Sequence, residues 1–176
     1  MKNILSSYAF LILAGIAVSV KAQTSLQWYQ QFSGNLPNTN TALDLTVDGS
    51  GNTYVVGLFH GTIDFGGGSV TSTANDFFFA KYNSSGSLIY VQKIGVAHGI
   101  IAGTGVTTYS SGGTTYLLIS GYFASDNNTI VTANFNPTGA SNNVTMNDTN
   151  GDAFIARYNA SAGNCIWVSL VSGTSG

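Results

Sequence analysis

Two histidines, His60 and His98, one cysteine, Cys165, and seven aspartates with no glutamate are the residues this chain offers for acid–base, nucleophilic or metal chemistry. Each histidine stands beside a glycine, in "LFHGT" and "VAHGI", just past an apolar run. A zinc centre needs three or four ligands at recognisable local spacing, and a distant single cysteine does not supply them. Both histidines therefore read as solvated turn residues. Cys165 opens "CIWVSLV", where a small buried hydrophobe is expected rather than a reactive thiol. Serine is abundant, yet no Gly-x-Ser-x-Gly elbow joins a strand to a helix.

Paired carboxylates would suit glycan cleavage, which needs two acids roughly 5–9.5 Å apart. Asp44 and Asp48 flank one apolar run, but four residues along a strand span about 13 Å. Asp76 and Asp152 recur at the start of similar segments, as a turn or edge residue does, not a unique catalyst. Calcium is the remaining option, because "DGSGN" (48–52) and "DTNGD" (148–152) alternate oxygen-bearing side chains. Thr53 stands where an EF-hand loop needs its turn glycine, and Phe59 where it needs its bidentate glutamate. Tight turns demand the same residue types, so 48–52 and 148–152 read as turns. No catalytic, cofactor-binding or metal-ligating residue is assigned, and the chain is not expected to be an enzyme.

The elements that must carry these residues follow from composition. Charged residues make up 7% of the chain, glycine contributes 22 residues, and aromatics reach 12%. Runs of Val, Ile, Thr, Tyr and Phe cut by Gly, Asn and Ser clusters are short strands joined by turns. Past residue 22 no helical apolar period is sustained. The fold class is therefore all-β. Residues 1–22 differ, with Lys2, an apolar stretch over 8–20, and Val20 and Ala22 before Gln23. These are the parts of a secretory signal peptide. The apolar stretch is shorter than the roughly 20 residues of a spanning helix, so a membrane anchor is the weaker reading and the product is expected outside the cytoplasm. Beyond the leader, Lys81, Lys93 and Arg157 face seven scattered aspartates. Three dispersed cations make no stripe for phosphates, which argues against nucleic acid or an anionic membrane as partner.

Internal repetition organises the rest. "DFFFAKYNSSG" (76–86) returns as "DAFIARYNASAG" (152–163), aligning Asp76 with Asp152, Phe78 with Phe154, Lys81 with Arg157, Tyr82 with Tyr158 and Asn83 with Asn159. The two-residue period puts Phe78, Ala80 and Tyr82 on one face and Phe77, Phe79 and Lys81 on the other. Such a strand belongs between two packed layers, with the lysine or arginine head reaching water. A second element, "LQWYQQFSG" (26–34), "LIYVQKIG" (88–95) and "CIWVSLVSG" (165–173), makes Trp28, Tyr90 and Trp167 equivalent. Ahead of the third strand of each unit lies a hairpin: 42–48 with 53–59, then 99–109 with 114–123, which equates Gly57 with Gly121. The surplus length of the second unit falls in the Asn- and Thr-rich stretch 124–151, expected as a long connection.

A four-stranded unit in tandem with two apolar faces matches a β-propeller blade. "VDGSGNTYVVGLF", "DFGG" and "NDFFFAKYNSSGSLIYVQKIG" resemble the SBBP repeat of secreted bacterial proteins, closely over 42–95 and more loosely over 99–173. The resemblance implies an incomplete propeller over 23–176: a leading strand 26–34, blade one 42–95, and blade two 99–173 with the insertion 124–151. It implies a secreted or cell-surface scaffold, structural, adhesive or ligand-binding, with no shared catalytic residues. In that bacterial setting the sequons at Asn83, Asn127, Asn143, Asn147 and Asn159 are by-products of composition. Closed propellers have typically 4–8 blades, so the chain is expected to be an N-terminal fragment of a longer protein. The alternatives are a short chain that closes by self-association and a polysaccharide-acting propeller enzyme whose active site lies in further blades. The partners expected are a glycan or protein held by the loops, and further blades of the same kind.

Overall fold

The computed structural model describes residues 28–34, 40–146 and 149–171. The expected leader (1–22), the first residues of the leading strand 26–34, Asn147, Asp148 and the end of the second unit (172–173) lie outside them. The described chain is all-β, with eleven strands and no helix among the described residues. The strands are β1 (Ser33–Gly34), β2 (Thr41–Val47), β3 (Thr53–Asp64), β4 (Ser69–Tyr82), β5 (Leu88–Ile94), β6 (Gly99–Ser111), β7 (Thr114–Ser125), β8 (Thr132–Asn134), β9 (Asn143–Thr145), β10 (Asp152–Asn159) and β11 (Cys165–Val171).

They form two antiparallel four-stranded units, β2-β3-β4-β5 and β6-β7-β10-β11. One parallel bridge, Asn75 opposite Ile100, links the units into a mixed sheet. The strand order runs from one end to the other and closes no ring among the described residues. The units keep the same register. Gly57 lies opposite Phe78, and Gly121 opposite Phe154. A β-carbon at Gly57 would collide with the Thr41 carbonyl and the Phe78 ring, and one at Gly121 with the Ala102 carbonyl and the Phe154 ring. In both units an aromatic ring lies across the facing backbone, which is why both read glycine.

Bulges recur too. The β2–β3 ladder slips between Ala42 and Asp44, and the β6–β7 ladder between Gly103 and Gly105. The β4–β5 ladder slips at Lys81/Tyr82, and the β10–β11 ladder at Arg157/Tyr158. Each slip leaves one residue out of register, so Leu43 matches Thr104 and Ile89 matches Ile166. Two bulges at matched places in both units mean that the repeated sequence builds a repeated backbone.

Over residues 76–82, strand β4 is buried on both faces. Phe77 and Phe79 enter one core with Tyr54, Val56 and Ile94, joined across the inter-unit contact by Ile119, Phe154 and Tyr158. Phe78, Ala80 and Tyr82 enter a second core with Phe59, Ile63 and Phe65, capped by Trp28 and Phe32. The two-sided strand read from the repeat is thus observed, while the exposed lysine head is not: Lys81 is 8% exposed. Its Nζ donates to the Ala160 carbonyl at 3.0 Å and lies 5.3 Å from the Tyr54 ring centre.

Within its described residues the leading segment is a strand over Ser33–Gly34, paired with the far end of β3. Even so, Trp28 occupies the place its alignment with Tyr90 demands. A side chain at Gly86 would meet Trp28, as one at Gly163 would meet Tyr90 and Gln92. The stretch 124–151 is more than a connection. It holds the β8–β9 hairpin, and Val131, Ala133, Phe135 and Met146 join the larger core. Apolar residues spaced two apart suffice to seat a polar-looking hairpin once a core face is near.

Complete burial of such a ring stabilises by about 1.5–3 kcal/mol before any cavity is counted. Phe79→Ala should therefore lower the unfolding free energy by about 3–5 kcal/mol in a denaturant titration. Ile89→Ala, at a bulge residue 48% exposed, should cost a small fraction of that.

Candidate functional site

Three turns meet at one end of the stacked units and frame a cleft of roughly 400 Å³. The β2–β3 turn supplies Asp48, Ser50 and Asn52; β3 and β4 supply Tyr54 and Lys81; the far wall is Gly113–Thr115 and Asn159–Ser161.

Each wall is fixed by local hydrogen bonding. Asp48 Oδ1 accepts from the backbone N–H of Ser50 at 2.9 Å and of Asn52 at 3.0 Å. Its Oδ2 accepts from Asn52 Nδ2 at 2.8 Å and Tyr54 Oη at 2.9 Å. Partial burial works against the carboxylate, but these bonds outweigh it and hold its pKa below the ordinary value. All four bonds are to groups of its own turn and the next strand, so Asp48 organises the hairpin, as the turn reading requires. Asn159 Oδ1 accepts from Ser161 N–H at 2.8 Å and Oγ at 2.6 Å. Asn83 does the same work in the first unit, accepting from the N–H of Ser85 and of Ser87. The recurrence of Asn83 and Asn159 in the repeat thus has a mechanical cause: each closes the turn after a β4-type strand.

Lys81 crosses between the units to the Ala160 carbonyl, which also accepts from Tyr90 Oη at 3.2 Å. The Tyr54 hydroxyl is pushed well above its ordinary pKa by burial, and further by the hydrogen bond to Asp48. Tyr90 is raised by burial and by the Asp48 charge. Both phenols stay protonated through neutral pH and act as donors, not bases.

The cleft holds one carboxylate, so it lacks the paired acids that glycoside hydrolysis uses. No cluster of three His, Cys, Asp or Glu side chains suited to a metal occurs among the described residues. The sequence-flagged residues lie apart. His60 sits within strand β3 beside its bulge rather than in a turn. His98 is exposed, with a left-handed φ of 58°. Asp76 is buried inside β4, with Lys93 Nζ 3.5 Å away, and Asp152 is buried at the start of β10. Asp44 Oδ2 accepts the Val106 N–H at 2.8 Å across the inter-unit contact, far from any partner acid role. Cys165 is half-buried, its Sγ accepting from Asn142 Nδ2 at 3.2 Å, and burial raises its pKa. Tyr54 and the Ala160 carbonyl escape sequence reasoning, because one reads as an ordinary strand tyrosine and the other is main chain. Comparison of the chain with protein families, curated proteins and solved structures returned no match.

The Asp48 pKa gives a signed pH prediction. Depressed below 3.8 in the folded chain, the carboxylate adds stability above that value, and the contribution is lost as pH falls through the folded-state pKa. Asp48→Ala should therefore lower the melting temperature at neutral pH, and the gap to the parent should narrow as pH falls below 3.8.

Proposed function

We propose that this chain is a non-catalytic β-propeller-type repeat scaffold, secreted or held at the cell surface, that offers the polar inter-unit cleft and its turns to a glycan or protein ligand. The observation carrying the scaffold reading is the matched register: two four-stranded units with equivalent glycines and equivalent bulges, packed face to face. The resemblance of 42–95 to the SBBP repeat supports the same reading, as does the leader-like composition of 1–22. Ligand binding is favoured over chemistry because the cleft presents hydroxyls, amides and one carboxylate already engaged by its own turn. Such a surface suits the hydroxyl-rich face of an oligosaccharide or a polar peptide loop.

Calorimetric titration against a panel of bacterial and plant oligosaccharides tests this, with reducing-end release followed in parallel. Saturable binding without release is expected. Ser161→Trp, which fills the cleft from an exposed turn position, should weaken binding by about tenfold or more at unchanged melting temperature. Turnover abolished by one Asp→Asn substitution would instead establish a polysaccharide-acting enzyme. Absence of binding to every glycan and peptide probe would remove the ligand role.

A further inference from the structure

Within the chain, β6 of the second unit packs against β2, β3 and β4 of the first. Val106 on β6 is 9% exposed, and its N–H is held by Asp44. The register makes Leu45 on β2 the counterpart of Val106, since Leu45 lies over Val55 and Ala80 as Val106 lies over Ile119 and Ala156. Leu45 is nevertheless 60% exposed, with Val47 at 53% beside it. On that outward face the β3 and β4 side chains Val55, Phe78, Ala80 and Tyr82 are buried in the core that Trp28 and Phe32 cap, while Leu45 and Val47 of β2 are exposed. The first unit therefore shows to solvent the strand that its twin buries.

The opposite end of the stack carries the complementary vacancy. The face of the second unit that corresponds to the Phe77/Phe79 face of the first is exposed at Thr107, Ser120 and Ile155. It forms an apolar groove over β6, β7 and β10 lined by Gly105, Thr107, Leu118, Ser120 and Ile155. Ile155 is 42% exposed. Arg157, the counterpart of Lys81, lies against this groove with its guanidinium 3.9 Å from the Tyr116 ring centre. Its Nε is buried and makes no hydrogen bond in the structure. Lys81 spends its charge on the Ala160 carbonyl of the neighbouring unit; the equivalent carbonyl one unit earlier is that of Ser84.

We propose that strand β2 of a second copy of this chain docks through Leu45 and Val47 in the groove over β6, β7 and β10, as β6 packs against the first unit within the chain. The two surfaces are different patches of the molecule, so the association is heterologous and runs head to tail. Exposed apolar strand faces of this kind are otherwise a liability in water. The inference rests on the equivalence of the two units and not on any ligand in the cleft, so its failure leaves the binding reading untouched.

Sedimentation velocity of the full chain over a micromolar to millimolar range tests it, using Leu45→Glu and Ile155→Glu. Both positions are exposed, and a thermal melt checks each fold; Thr107→Glu, exposed on β6, substitutes if Ile155→Glu does not fold. The parent should associate as concentration rises. Each variant alone should weaken association by about tenfold or more, whereas an equimolar mixture of the two should form a one-to-one dimer, because each variant keeps the face the other has lost. A parent that stays monomeric would overturn the proposal, and would mean that something other than a second copy covers the groove. Unchanged association of either variant, or a mixture that stays monomeric, would overturn it as well.

Discussion

Everything else in the molecule hangs on one stretch of strand, residues 76–82 of β4, that has no solvent face. Strand β4 sends Phe77 and Phe79 into the core shared with the second unit and Phe78, Ala80 and Tyr82 into the core beneath the leading segment. A sheet with only one apolar face could stop after a single layer. A sheet apolar on both faces cannot, because each side requires its own cover. The stacking of the units, the seating of Trp28 and Phe32, and the burial of Lys81 all follow from that requirement. The cleft follows too, since stacked hairpins bring their turns together at one end.

The two cations at equivalent positions in this stack are met in different ways. Burying most of the Lys81 side chain is offset by one carbonyl and one aromatic face. Arg157 repeats the position with a different solution, its planar head stacked on Tyr116 and lying 5.5 Å from the Tyr109 ring centre. The same register position can therefore serve either as a latch between units or as a flat cation at an open face. Which role it takes depends on whether a neighbour stands beyond it.

Much of the fold was legible because the signal was written twice. The alternation in "DFFFAKY" identifies a strand buried on both faces, and its echo in "DAFIARY" identifies the partner unit without any structural input. The equivalences of Gly57 with Gly121 and of Trp28 with Tyr90 come from the same comparison, and both hold in the contacts. Features without a second copy were harder. The hairpin in 124–151 hides its core residues among asparagines and threonines, so composition alone reads a loop. The extension of β3 and β4 past Phe59 depends on a bulge, which side-chain alternation does not mark. The site was the least legible part, because its joining element is a main-chain carbonyl, and the lysine that finds it reads from sequence as a surface-seeking residue.

The central claim is that the two units form one cooperative body through β4. Native-state amide hydrogen exchange tests it most directly, comparing the protection of Phe77–Phe79 with that of Phe154–Tyr158. If the shared core governs stability, both sets of amides open only by global unfolding, with the same free energy and the same denaturant dependence. If 99–171 exchanges through an opening of its own while 40–94 stays closed, the units are independent and the account is wrong.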